Sequence, residues 1–271
     1  MPAARLSFSE VLSESVGFFF ANIRLFFDLV TIPWIVSVAI RIAGGLAAVE
    51  SPIAALTEKA IDVLPTVTFL VAWQRVVLLG PHRVGRLPGL GWSPRESAYL
   101  GHLLKVAGMT FVLMAIFMIT VGTMDPRALQ DGAAIDPDVA RRYALAGPLA
   151  FGFIVSLLLA LRVSFGLAAT AVDVPFSPRL SWAYSRGNVW PIIGILFVVY
   201  FGGAFATAAA LLMTNALMAG ILQADAAAAI VSWTVAILFS YGAAAITATA
   251  QAVIFRRLLG WREGAELPPA S

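Results

Sequence analysis

The sequence predicts an all-α, polytopic membrane protein with six transmembrane helices, and three observations predict it. Hydrophobic residues make up 60% of the 271 positions and charged residues 12%, where an ordinary soluble domain carries roughly 45–50% and about 25%. The apolar residues arrive in six blocks, each near the ~20 residues that cross a bilayer as a helix. Lysine and arginine collect on alternate connections between those blocks, the asymmetry that orients membrane proteins.

The first block covers 25–49. Ahead of it, Phe8, Leu12, Val16, Phe19 and Ile23 recur at helical spacing, which predicts an amphipathic helix lying in the membrane interface. No cleavable signal peptide is expected, because 1–22 carries Glu10 and Glu14 and lacks a basic start followed by an apolar core. The second block, 60–79, has Pro65 near its start and Gln74 and Arg75 near its end. The third, 106–124, is bulky with Phe111, Met114, Phe117 and Met118, and the fourth covers 143–163. The fifth, 191–213, sits inside an uncharged run longer than one crossing needs, so 214–224 is read as tilt, a short outer helix or a re-entrant turn. The sixth covers 227–255. Gly202, Gly203, Ala204 and Ala208 in the fifth, and Gly242, Ala244, Ala248 and Ala250 in the sixth, place small residues where two helix backbones approach closely. These two helices are expected to be neighbours.

Eleven basic residues fall on one set of connections: Arg5, Arg24, Arg83, Arg86, Arg95, Lys105, Arg179, Arg186, Arg256, Arg257 and Arg262. Four fall on the other: Lys59, Arg127, Arg141 and Arg142. The positive-inside rule then puts both termini and the 80–105 and 173–190 connections in the cytoplasm, and the aspartate-rich 125–142 connection outside.

An aromatic residue followed by Ser, three variable residues and Ser occurs at Phe8, Trp92 and Phe176, at an interval of 84 residues both times. Two copies continue as Ser-Pro-Arg, at 93–95 and 177–179. Serine suits a helix N-cap, and proline suits the first helical position, where no amide hydrogen is required. Ser7 with Glu10, and Ser93 with Glu96, also have capping-box spacing. Two explanations fit. Either the single integral domain, 1–271, contains repeat units 8–80, 92–172 and 176–257, each an interfacial amphipathic helix plus a hairpin, or helix starts at membrane interfaces simply share this chemistry.

The absence of cysteine excludes disulfides, thiolate metal sites and cysteine nucleophiles. His82 and His102 both fall on the cytoplasmic side and are read as solvated or interfacial. No predicted span contains a histidine. No catalytic residue, metal or cofactor is therefore expected, and no enzyme. Arg41 lies about two-thirds through the first span, where a charge must face protein or water; Glu50, Asp62 and Asp225 are its expected partners. Arg75 and Arg162 sit near the cytoplasmic ends of their spans. With Arg95, Arg179 and Arg186 they are candidate contacts for anionic lipid headgroups, and Arg41 is a candidate anion contact; ion pairing and snorkelling are the structural alternatives.

The stretches RVSFGLAATAVDVPFSPRLSWAYSRGN (162–188) and FLVAWQRVVLLG (69–80) resemble a group of bacterial inner-membrane proteins similar to YciC-type proteins and to the membrane domain of some glycerophosphodiester phosphodiesterases. The resemblance rests on Arg162, Ser181, Trp182, Arg186, Gly187 and Asn188. It departs at Gln74, where a histidine is common, and at Gly80-Pro81, where an acidic residue often appears, so no shared site is carried over. It implies a bacterial inner-membrane location and a six-helix plan.

The expected role is a non-catalytic scaffold, assembly factor or accessory subunit of a membrane complex, with a transporter or lipid-handling protein as the alternative. Expected partners are membrane lipids, anionic ones included, and another membrane-protein complex. Nucleic acid is not expected, because the basic excess falls next to apolar spans. The charge asymmetry makes a direct prediction. A reporter fused after Arg257 should read as cytoplasmic and one inserted at Ala134 as external; the opposite pattern would overturn the topology.

Overall fold

The computed structural model describes residues 5–46, 52–84, 91–122, 137–222 and 225–264. Among these, every regular element is helical: α1 (Phe8–Ala21), α2 (Ile23–Leu46), α3 (Pro52–Leu79), a 3-10 turn (Pro81–Arg83), α4 (Pro94–Gly122), α5 (Pro137–Ser164), α6 (Leu167–Ala171), α7 (Pro178–Tyr184), α8 (Val189–Leu222) and α9 (Asp225–Leu259). Five stretches are long and apolar enough to cross a membrane: Ile23–Gly44, Leu56–Leu79, Phe151–Ala171, Val189–Met218 and Ala227–Leu259. They match five of the six expected spans. The third expected span, 106–124, falls on α4, whose last two expected residues lie outside the described ones. So does most of the aspartate-rich connection.

The three Ser-aromatic motifs all lie at helix starts, but they are built differently. Ser93 precedes α4, its amide and hydroxyl both donating to the Glu96 carboxylate, the amide at 2.8 Å. Ser177 caps α7 by accepting from the Leu180 amide at 3.3 Å. In the first copy the N-cap is Ser7, which makes no side-chain cap bond, and Ser9 is already helical. The expected Ser7–Glu10 box is absent because Glu10 reaches Arg257 on α9 instead. A separate short helix precedes the long one in the first and third copies, whereas α4 runs through without a break. Phe8 and Trp92 are exposed, but Phe176 turns inward against Phe165, Tyr184 and Phe255.

Several other expectations are corrected. α1 ends where Asn22 turns its own side-chain amide onto the Phe18 carbonyl at 2.9 Å. Val11, Ser15 and Phe19 are its residues buried against the other helices; of the expected face from Phe8 to Ile23 only Phe19 is among them. Ion pairs set that rotation: Arg257 holds Glu10 at 2.7 Å and Glu14 at 2.6 Å, and Arg256 also pairs with Glu14. α8 continues as one helix through 214–222, so this stretch is no re-entrant turn. Its 34 residues measure about 51 Å, well beyond the ~30 Å hydrocarbon layer. α8 and α9 do pack together, but the close approach is at Gly203, where a Cβ would sit 2.5 Å from that of Ala243. Ala204 and Ala208 face outward.

α9 is the central helix, packed against α1, α2, α3, α6 and α8. Its small residues Ala245, Ala248, Thr249 and Ala252 are buried, leaving room for a ridge of rings from α1, α2 and α3. Phe19, Phe26, Phe69 and Trp73 meet there with centroids 5.1–6.2 Å apart, mostly edge to face, the geometry aromatic quadrupoles favour. Trp73 is fully buried, and its indole N–H donates to Thr249 at 2.9 Å. Many large apolar side chains face outward instead, among them Phe111, Trp190, Phe205 and Met213 at 78%, 76%, 77% and 73% exposure. That surface is suited to lipid. Replacing Trp73 with Ala should cost about 3–5 kcal/mol in equilibrium unfolding from mixed detergent micelles, while Trp190→Ala should stay within about 0.5 kcal/mol. Equal effects would contradict this packing.

Candidate lipid and anion contacts

The six arginines expected as contacts divide into two sets. Arg41, Arg75 and Arg95 are held by carboxylates. Arg41 donates to both oxygens of Glu58, at 2.8 and 3.1 Å, and its guanidinium lies 4.1 Å from the centroid of the Trp233 ring. Its partner among the described residues is Glu58 and not Asp62; the side chain of Asp225, the third expected partner, lies outside those described. Glu50 lies outside the described residues. The second span is expected to begin at 60, whereas α3 starts at Pro52, which puts Glu58 on the helix.

Arg75 and Arg95 meet at Asp173. Arg95 binds it through two parallel bonds, Nε to Oδ1 at 2.8 Å and an Nη to Oδ2 at 2.6 Å, the fork geometry that makes arginine–carboxylate pairs specific. The Asp173 hydrogen bond raises the Arg95 pKa above its ordinary value, against a smaller opposing effect of burial. Arg75 approaches the same carboxylate at 3.5 Å and donates to the Ala171 carbonyl at 3.2 Å. Asp173 occupies the left-handed region at φ 62°, uncommon outside glycine but tolerated by aspartate. The turn aims its carboxylate at two helices distant in sequence.

Arg162, Arg179 and Arg186 form the second set. Among the described residues, no carboxylate lies within ion-pair distance of any of them. Arg162 stacks on the Trp182 ring with its guanidinium carbon 3.5 Å from the centroid, and donates to Ser185 Oγ at 2.8 Å and to the Trp182 carbonyl at 3.2 Å. Arg179 and Trp182 share the exposed face of α7, and Arg186, in the turn just after the helix, is exposed as well. The opposite face, Ser181 and Ser185, is buried. Gly166 lies so close to Ser181 and Phe176 that a Cβ there would collide with both, so α7 is pressed onto the end of α5 and Arg162 emerges beneath Trp182. The Arg-Gly-Asn that follows has a mechanical reading. Gly187 takes a left-handed turn at φ 84°, and buried Asn188 accepts from the Leu6 amide at 2.9 Å, tying the N-terminal segment to the start of α8.

Two polar layers cross the helix interior. In one, Ser37 and Tyr241 share a hydrogen bond of 2.8 Å, with Asp62 and Thr66 beside Tyr241. In the other, Gln74 donates to Gln251 at 3.0 Å, with both buried and Tyr99 alongside. His102, expected at an exposed interface, is 4% exposed, with Nδ1 3.3 Å from Thr170 Oγ1 and Nε2 unpartnered. It is covered because α6 folds back onto α4, a contact with no local sequence signal. His82 is exposed, as expected. Among the described residues no cluster of three metal-ligating side chains occurs. Comparison with known protein families, with curated proteins and with solved structures finds no match.

Burial, and secondarily Lys105, push the His102 pKa below its ordinary value of 6.5. Its folded form binds a proton less readily than the unfolded chain, so His102 adds an acid-sensitive part to stability. That part is fully retained above pH ~6.5 and lost as pH falls, with a slope of at most about 1.4 kcal/mol per pH unit. His102→Leu should flatten the stability profile between about pH 6.5 and pH 5. An unchanged slope in the variant would show that His102 is not the group responsible.

Proposed function

We propose that the chain is a non-catalytic multi-pass protein of the bacterial inner membrane that binds anionic phospholipid at its cytoplasmic face and serves as a scaffold or accessory subunit of a membrane complex. In this reading six spans form three hairpins with both termini in the cytoplasm. The observation that carries it is the division of the arginines. Those that join helices are matched by carboxylates, as in the α1–α9 pairs and at Asp173. The three on, under and just after α7 have no carboxylate partner among the described residues, are exposed in two cases, and are grouped with an exposed tryptophan at a helix end, the composition that headgroup phosphates and membrane interfaces favour. Charges with no carboxylate partner among the described residues are available to an external anion.

A transporter is the second reading, and the polar layers at Tyr241 and Gln251 favour it. The space between them supports the first: Phe69 contacts Tyr241 at 5.2 Å between centroids and stacks on Trp73, which itself bonds Thr249. The two layers are separated by rings, not by a continuous polar path.

Native mass spectrometry from mild detergent tests both parts. The protein should retain phosphatidylglycerol in preference to phosphatidylcholine. The Arg162→Gln, Arg179→Gln, Arg186→Gln variant should lose that preference, by about 1 kcal/mol per charge or on the order of 100-fold in all. Unchanged lipid retention in the triple variant would overturn the lipid assignment. A stoichiometric co-purifying membrane protein is expected for a scaffold; facilitated solute flux by the purified protein in liposomes, without any partner, would favour the transporter.

A further inference from the structure

Arg162 is held in one orientation by the end of α7. Its Nε and one hydrogen of Nη2, donors on the same edge of the guanidinium, go to Ser185 Oγ at 2.8 Å and to the Trp182 carbonyl at 3.2 Å. Its central carbon lies 3.5 Å from the centre of the Trp182 ring. The Ser185 hydroxyl is fixed in turn, donating to the Trp182 carbonyl at 3.0 Å. The terminal edge, Nη1 with the second hydrogen of Nη2, has no partner among the described residues. Arginine uses such an edge as a rigid fork for two oxygens of one carboxylate or phosphate.

A second cation stands beside this fork. Arg186 follows Ser185 directly, so its charge falls on the same corner and bears on Arg162. The sequence explains why no carboxylate answers them. From 139 to 224 the only acidic residue is Asp173, and Arg95 takes it through two parallel bonds. Glu96 is engaged by the amide and hydroxyl of Ser93. Two like charges brought together repel, and a single negative charge would neutralise only one of them. A phosphodiester headgroup carries one. A phosphomonoester carries close to two near neutral pH and offers three terminal oxygens, enough for the fork and for Arg186.

We propose that Arg162 and Arg186 together seat one phosphomonoester headgroup, of the phosphatidic-acid class, and that Trp182 and Ser185 are positioning residues that aim the Arg162 fork at it. This rests on the anionic-lipid reading of α7 and narrows it to one lipid chemistry.

The test offers the full chain, purified in mild detergent, phosphatidic acid and phosphatidylmethanol with identical acyl chains. The two lipids differ by a single methyl ester, which removes one ionisable oxygen. Native mass spectrometry should show one phosphatidic acid per chain retained over phosphatidylmethanol by about tenfold, the scale of one hydrogen bond to a charged group. Arg186→Gln should remove that preference while both lipids are still retained over phosphatidylcholine. Trp182→Leu should also reduce it with every charge left in place, which a diffuse electrostatic attraction would not show; Trp182 is 40% exposed, so this variant keeps the fold. Equal retention of the two lipids by the native chain would overturn this inference and leave the anionic-lipid reading standing. Retention of neither over phosphatidylcholine would remove both. A preference that survives Arg186→Gln or Trp182→Leu would overturn the proposed seat.

Discussion

A polar side chain carried into an apolar layer is costly without a partner there, and α3 is where most such side chains find theirs, on α2 and α9. α3 presents Glu58, Asp62, Thr66, Phe69 and Trp73 in succession at three- and four-residue steps, which place them along one face. Arg41 pairs with Glu58 and lies over the Trp233 ring of α9, Tyr241 meets the Asp62 and Thr66 level, and Thr249 meets Trp73. One step further, Gln251 meets Gln74. Each polar residue on this seam would be costly alone. Together they fix the register of α3 against α9, because sliding either helix by a turn would part them.

Between these polar steps the seam is filled by rings. The alanines of α9 provide the shallow surface, and Phe19, Phe26, Phe69 and Trp73 provide the relief that fits it. Without a hydrophobic driving force between helices in lipid, close packing and a few hydrogen bonds must supply the association. The same seam then carries α1, which is locked to the end of α9 by the Glu10 and Glu14 pairs with Arg256 and Arg257. Such a core suits a protein that holds its shape and presents surfaces. The proposed lipid contacts lie away from this seam, at α7.

The sequence made the long apolar helices legible because the bilayer sets their length, and it made the starts of α4 and α7 legible because serine and proline have distinct jobs there. It also marked α8 and α9 as neighbours through their small residues, though not the contact pair, since Gly203 and Ala204 point to different sides. What stayed hidden was long-range. Glu58 was hidden by the early start of α3, and Asp173 by a partner 78 positions away. The burial of His102 depends on α6 folding over it, and nothing in its neighbourhood announces that. The arginines illustrate the limit well: composition shows that they are many, but only the fold separates those with carboxylates from those without.

The account rests on the α3–α9 seam being dry and closed. The chain has no cysteine, so single cysteines can be placed along it at Ser37, Ala245, Ala248 and Gln251, with Glu263 as an exposed reference. Their reaction with a charged, water-soluble maleimide in intact membranes measures water access directly. The account predicts rapid labelling at 263 and none at 245 and 248, where the rings meet α9. Labelling that continues from 37 through 245 and 248 to 251 would reveal a water-filled path and contradict it.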